Sequence, residues 1–392
     1  MYCLATCCFI LHNMKTMLRK LMQVFSSRAS LLACFACGVL TVVCLCAFAA
    51  LHSPKTGSMM EHPDYRVMDR FDQYMTNSFS DSLEGVMAIK KAYWLSDSDK
   101  IAPKPNPTCY GETDDPTQMQ VILDRAAGLL DGQETLFRTD VKLCPGSKIR
   151  YYYDPTILVI TWQEVRGGCV YTISEVKIAH ASQFRRFLSG GEYGSGVKYL
   201  SSEMANTVNA VVAANGDYYA MRHIGNVVYN GQLLRMEGSR LDSCYIDDQG
   251  DLLFLKANTI TERTQMEQYI EDHHIRFSIS FGPVLVENGQ ALPIDRRYAV
   301  GEVTKFNERA ALCQKGALHY LLVMENPQPP YRNNQTLWQF AEQLQLMGVD
   351  RAYNLDGGRS GTIVFNGERI NYVEERKLSD IIYFATAIPN GA

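Results

Sequence analysis

The sequence lacks most of the features that would declare a function outright. No H-E-x-x-H, no G-x-S-x-G and no loop ending in G-K-[ST] occurs in its 392 residues. None of the zinc, serine-hydrolase and nucleotide sites built on those motifs is therefore announced. Basic charge is not in excess either. Lys and Arg number 38 against 42 Asp and Glu, for a net charge of −4. A nucleic-acid partner would need a basic face, so that class is set aside. Tryptophan is scarce, 3 residues against 22 tyrosines; tyrosines suit sugar stacking, and they also fill strands. Cysteine thins out after residue 46, leaving Cys109, Cys144, Cys169, Cys244 and Cys313. None of these five sits in a C-x-x-C pair, which argues against a structural zinc site. Their odd number does not make a complete disulfide framework, although Cys109 and Cys144 are a candidate pair.

What is present begins at the N-terminus. Residues 1–30 carry Lys15, Arg19, Lys20 and Arg28 and no acidic residue. The run from Ser30 to Leu51 is uncharged and mostly apolar, long enough to cross a bilayer as a helix. The charge before it places residues 1–30 in the cytoplasm and the bulk of the chain outside. We read residues 31–51 as a single-pass signal anchor at the cell membrane. Cleavage is the alternative, because Ala47-Phe48-Ala49 has the A-x-A form and would leave a secreted chain. Residues 52–115 read as a tether and transition region, stiffened by Pro103, Pro105 and Pro107. Residues 116–392 read as the globular domain.

Within that domain the pattern is rich in strands. The run I-R-Y-Y-Y-D-P-T-I-L-V-I-T-W-Q-E (149–164) predicts two strands about a D-P turn, and residues 170–179 alternate with period two. Asn230-Gly231 and Asn288-Gly289 lie between apolar runs and predict hairpins, and Gln249-Gly250-Asp251 is a similar turn. Residues 309–325 predict two strands meeting at Lys315-Gly316. Helices are few: 117–130, 261–274, and 336–347 with Thr336 as N-cap and Gly348 at the C-cap. The fold class predicted is α+β, a largely antiparallel sheet core with a few packed helices.

Candidate chemistry gathers at Y-N-L-D-G-G-R-S-G (353–361), where a helix and strand lead into a turn carrying Asn354, Asp356, two adjacent glycines and Ser360. A carboxylate there is either part of a plain turn or an acid, base, nucleophile or metal ligand. The apolar run 210–214 ends in Asn215-Gly216-Asp217, either a simple N-G turn or a strand end presenting Asn215 and Asp217 into a cleft. Arg309, at a strand start, is a surface cation or, in a cleft, an anion clamp. Asp356, Asn354 and Asp217 all offer oxygen ligands, so Ca²⁺ is a conceivable addition to a site otherwise expected to need no cofactor.

The order of these pieces resembles the phosphodiester glycosidase family. The matching stretches are A-A-N-G-D-Y-Y (213–219), G-N-V-V-Y-N-G-Q-L-L-R (225–235), F-G-P-V-L-V-E-N-G (281–289), E-R-A-A-L (308–312) and Y-N-L-D-G-G-R-S-G (353–361). Arg359 stands where the family keeps a third glycine, and Gly361 replaces the residue after the serine. The resemblance implies hydrolysis of a phosphodiester at a sugar's anomeric carbon, with a carbohydrate or sugar-phosphate polymer of the cell envelope as substrate. Asp356 is then the carboxylate and Arg309 the phosphate clamp. Asn215, Asp217 and Asn354 orient hydroxyls or water, with Asp217 near the chemistry. Gly357 and Gly358 offer backbone N–H groups, and Ser360 and Arg359 flank the substrate. Glu175 and His180 stand in reserve as acid or base. The alternatives are a non-catalytic glycan-binding protein and a glycosidase for unphosphorylated glycan.

Overall fold

The computed structural model describes residues 101–237 and 240–388. The expected anchor and most of the tether lie outside them. Among the described residues no helix is long and apolar enough to cross a membrane.

The chain first builds β1 (Tyr110–Thr113), then β2 (Ile149–Asp154), β3 (Ile157–Arg166) and β4 (Cys169–Ile178). Next come β5 (Phe184–Leu188), β6 (Val212–Asn215), β7 (Val227–Tyr229), β8 (Gln232–Arg235), β9 (Ser243–Ile246), β10 (Leu252–Leu255) and β11 (Phe277–Ile279). The last strands are β12 (Val284–Glu287), β13 (Gln290–Ala291), β14 (Arg309–Gly316), β15 (His319–Glu325), β16 (Arg351–Leu355), β17 (Ile363–Phe365), β18 (Glu368–Arg369) and β19 (Asp380–Phe384). The helices are α1 (Gln120–Arg125), α2 (Ala127–Leu130), α3 (Ser201–Thr207), α4 (Arg263–Asp272) and α5 (Leu337–Leu346).

Three sheets result. The largest has nine strands in the order β1-β2-β3-β4-β15-β14-β16-β12-β13. Two five-stranded sheets run β10-β9-β11-β7-β8 and β18-β17-β6-β19-β5. The pairings are antiparallel, as in β3 on β4, β14 on β16 and β19 on β6. The α+β expectation is met at that level. β1 falls inside the stretch read as tether, so part of that stretch is the edge of the nine-stranded sheet.

Strand β15 lacks a polar face because both faces of the large sheet are covered there. On β15, Leu321 and Val323 pack with α5 residues Leu337, Phe340, Ala341 and Leu344 on one side. Tyr320, Leu322 and Met324 pack on the other against Val212, Ala214, Cys244, Ile382 and Phe384 from the two smaller sheets. Continuous apolar runs are what a doubly covered strand requires. Each such side chain contributes roughly 1.5–3 kcal/mol by leaving water.

Local signals account for the turns. Asn230 and Gly231 have φ of 50° and 72°, the left-handed pair that a two-residue hairpin demands. Asn288 and Gly289 repeat it with 52° and 71°. Helix α5 starts with a capping box in which the Thr336 hydroxyl accepts from the Gln339 N–H and the Gln339 side chain accepts from the Thr336 N–H. The helix expected over 117–130 is instead a 3-10 turn (Pro116–Met119) followed by α1 and α2, which part at Ala126, where ψ is 1°. Ala126 is fully buried, and the bend sends Ile122 and Leu129 into one core. Cys109 and Cys144 are both free thiols, so the pairing considered from sequence does not form.

Candidate active site

Strand β16 delivers Asp356 just past its last residue. The turn that follows is tight. A Cβ on Gly357 would lie 2.2 Å from the Glu308 carbonyl oxygen, so only glycine fits. A short 3-10 turn, Gly358–Ser360, then brings the Ser360 hydroxyl back to the Asp356 carboxylate as a hydrogen-bond donor. From the other side Asn215, at the end of β6, donates its amide to the Asp356 carbonyl over 3.0 Å and accepts from the Thr362 N–H. One asparagine thus joins the end of a strand in the large sheet to the end of a strand in a small one.

Arg376 completes the group. It lies in the loop between β18 and β19, and its backbone N–H is held by the Arg359 carbonyl at 3.2 Å. Its Nε donates to Ser360 Oγ over 2.7 Å and its Nη2 donates to Asp356 Oδ2. Its guanidinium also stacks 5.0 Å from the centre of the Tyr218 ring. These residues open onto a cleft whose remaining cations are Lys198 and Lys377.

Three carboxylates border the cleft, and they are not equivalent. The Asp356 side chain is 20% exposed, that of Asp217 1% and that of Asp380 0%. Asp217 accepts from the N–H groups of Tyr218 and Ser280. Asp380 accepts from the Asp217 N–H at 2.9 Å and from Arg186 Nε at 2.7 Å. Arg186 is itself buried, with Nη2 3.8 Å from Asp217. This cluster is a floor that fixes the Gly216–Asp217 backbone. Burial pushes the Asp380 carboxyl up to about 6, with Arg186 pulling it back and Asp217 adding to the rise. Asp356 is the carboxylate left to meet a ligand. Burial raises its pKa above the ordinary value, opposed by the Ser360 hydrogen bond and by the charges of Arg376 and Arg222.

Asp356, Ser360, Asn215 and Asp217 are therefore brought together as expected, and the rest are not. Arg309 does not line the cleft. Its backbone runs beside Gly357, but its guanidinium turns away and donates to the carbonyls of Gly301, Glu302, Lys305 and Gln335. It clamps a loop, and burial lowers its pKa to about 10. Asn354 is buried and donates to the Gly282 carbonyl at 2.7 Å. Arg359 points outward to Glu374, with 59% of its side chain exposed. Gly357 and Gly358 shape the turn without lining the cleft. Glu175 accepts from the Leu136 and Phe137 N–H groups and meets His319 at 2.8 Å, within the large sheet. The His180 ring accepts from the Ser182 N–H and so caps a turn. Neither Glu175 nor His180 reaches the cleft. Sequence reasoning missed Arg376, Lys198 and Lys377. Of the three oxygen donors considered for Ca²⁺, Asn354 lies outside the cleft and Asp217 is engaged by backbone. Among the described residues no three His, Cys, Asp or Glu side chains converge as a metal site.

The model of the phosphodiester glycosidase family matches residues 208–385. Over these residues the chain is similar to that family. The matched span holds Asn215, Asp217, Asp356, Ser360, Arg376 and Asp380, and of the residues lining the cleft it leaves out Lys198. The chain is similar to the N-acetylglucosamine-1-phosphodiester alpha-N-acetylglucosaminidase of Mus musculus, 27% identical over 172 residues. That likeness covers 41% of this chain, and the chain spans about a third of the length of that relative, 33%. Among solved structures it is similar to the zebrafish N-acetylglucosamine-1-phosphodiester alpha-N-acetylglucosaminidase catalytic domain auto-inhibited by its pro-peptide. That likeness has a TM-score of 0.47 at 20% identity and covers 66% of this chain and 92% of that one. A hypothetical protein from Synechocystis gives a TM-score of 0.44 at 12% identity, covering 63% of this chain and 64% of its own. The matched span leaves β1 to β5 outside it.

Proposed function

We propose that this protein hydrolyses a sugar-1-phosphodiester, breaking the bond between the anomeric carbon and the phosphate oxygen. The observation that carries this is the inequality of the three carboxylates. Only Asp356 retains solvent contact, and it is held by the guanidinium of Arg376 in a cleft that also carries Lys198 and Lys377. Most glycosidases need two carboxylates, one to protonate the leaving oxygen and one to act on the sugar. Here the leaving group is a phosphomonoester, already a stable anion, so the acid is dispensable and a cation takes its place.

In the step proposed, water attacks the anomeric carbon while Asp356 accepts its proton. The carbon–oxygen pair of electrons departs onto the phosphate, and the products are a free sugar and a phosphomonoester. Arg376 moves its fork from Asp356 to the phosphate as substrate arrives, which frees the carboxylate to act as base. Ser360 keeps one hydrogen bond to Asp356 during that exchange, and Asn215 holds the backbone that carries it. No metal is required in this scheme, because Arg376 meets the phosphate charge. EDTA should leave the rate unchanged, whereas a Ca²⁺-dependent site would lose activity.

The name of the mouse relative supports an N-acetylhexosamine as the sugar. The apolar run Ser30–Leu51 and the basic residues before it support a membrane-anchored chain whose catalytic part faces a cell-envelope or exopolysaccharide glycan. The test is release of sugar from a panel of sugar-1-phosphodiesters by the full chain, wild type against Asp356→Asn. Loss of about 10²–10⁴-fold in kcat is expected. Equal rates in the two proteins, or release only from unphosphorylated glycans, would overturn the assignment.

A further inference from the structure

A second arginine stands close to the cleft with no structural task that accounts for it. Arg222 follows Met221, which lines the cleft. Its guanidinium lies 4.9 Å from the centre of the Tyr218 ring and 5.0 Å from that of Phe281. The same Tyr218 ring carries Arg376 at 5.0 Å. Two cations thus lie against the ring of Tyr218, which lines the cleft, and the charge of each is felt by the Asp356 carboxylate.

Two structural arginines, Arg235 and Arg309, behave differently. Arg235 spends its Nε and both Nη atoms on the carbonyls of Gly225, Tyr219, Arg222 and Ile224. Arg309 does the same with the 301–305 loop and Gln335. Arg222 Nη1 is instead buried and has no hydrogen-bond partner. A charged donor withdrawn from water and left unpaired is costly, and such groups mark places where a ligand supplies the missing acceptor. The stacking on Tyr218 and Phe281 fixes the guanidinium, so the donor is organised before anything binds.

We propose that Arg222 and Arg376 form a two-guanidinium subsite for the phosphate group of the substrate, one fork for each non-bridging oxygen. Arg376 is already shared with Asp356 and Ser360, so Arg222 is the donor that can meet the second oxygen without disturbing the carboxylate. The ligand class is a phosphate diester, and its identity as a sugar diester rests on the hydrolytic function proposed above. The subsite selects for phosphate at that position and does nothing for a sugar on a neutral leaving group.

The test is a ³¹P NMR titration of the full chain with dimethyl phosphate, a diester with no sugar to cleave. Arg222→Ala should weaken binding by about tenfold or more, and Arg222→Lys by less, because an ammonium keeps the charge but loses the fork. Arg296→Ala, which removes a cation stacked on Trp338, should bind as the wild type does. In sugar-1-phosphodiester hydrolysis, Arg222→Ala should raise KM by a similar factor, with a smaller effect on kcat. Wild-type affinity for dimethyl phosphate in both Arg222 variants, with unchanged KM, would overturn the assignment even if the enzyme cleaves diesters. Arg222-dependent binding without any sugar release would uphold the subsite and sink the hydrolytic function instead.

Discussion

Glu325, the last residue of β15, offers a quantitative test of how this core tolerates charge. It is fully buried, flanked by Arg309 on β14 and Tyr171 on β4, and neither carboxyl oxygen has an ordinary hydrogen-bond partner. Burial pushes its pKa up to about 8, eased by the weakly donating Cys169 thiol and by the Arg309 charge, with Glu308 adding to the rise. The unfolded value is 4.5, so the folded protein holds a proton that the unfolded chain gives up across that interval. The stability from the neutral acid is complete below about pH 4.5 and is lost as pH rises through 8. A gap of about 3.5 units, at ~1.36 kcal/mol each, sets a ceiling of ~5 kcal/mol. Relaxation of the folded state around the charge trims that to ~2–4 kcal/mol. Glu325→Gln removes the titration while keeping the shape. Urea unfolding of both proteins at pH 5, 6, 7, 8 and 9 should show the variant gaining on wild type up to pH 8 and then levelling. A fixed offset across the series would refute the buried neutral acid, because an amide's own packing cost does not vary with pH.

Four further outcomes concern the cleft and its surroundings. Arg309→Met should cost about 2–4 kcal/mol in urea unfolding, since it strips the 301–305 loop of its clamp, while kcat per folded molecule stays near wild type; a selective fall in kcat would restore Arg309 to the chemistry. Gly357→Ala forces a methyl against the Glu308 carbonyl, which is backbone and cannot step aside, so activity should drop by about 10²-fold or more and the melting temperature should fall. The Asp356 carboxyl is raised by burial and acts ionised, so the pH–rate profile should lose activity on its acid side above the ordinary carboxylate value of about 3.9. Inversion at the anomeric carbon, read by ¹H NMR of the fresh product, should accompany it, and retention would make Asp356 the nucleophile rather than the base.

The parts of this molecule that are legible in sequence are those decided within a few residues. An N-G pair between apolar runs turns the chain at 230–231 and 288–289 whatever surrounds it. Thr336 and Gln339 cap a helix by themselves. Asp356 and Asn215 read as strand ends because apolar runs stop at them, and strand ends are where clefts form. The rest was decided at a distance. Arg376 sits in E-E-R-K-L, which reads as an exposed charged loop; nothing local says that β19 turns it back onto Asp356. Arg309 has the right chemistry and the right backbone position, but its side-chain direction is set by carbonyls in the 301–305 loop. Arg359 looks like a site residue because it stands in the motif, whereas Glu374 draws it outward. Asp217 and Asp380 are indistinguishable from Asp356 as letters, and only burial assigns them to the floor.

The place of β19 has a consequence for how the protein is made. It follows every other described strand in sequence, yet it lies between β6 and β5 in space, and Asp380 is its first residue. As the chain emerges in order, β5 and β6 are released early with a vacant slot between them, each showing unpaired backbone on the facing edge. Asp217 and Arg186 wait without their shared carboxylate, and Asp356 waits without Arg376. The cleft around Asp356 is therefore completed late in biosynthesis, when the strand near residue 380 takes its place. A nascent chain halted before that point carries two open strand edges, which makes it a substrate for chaperones.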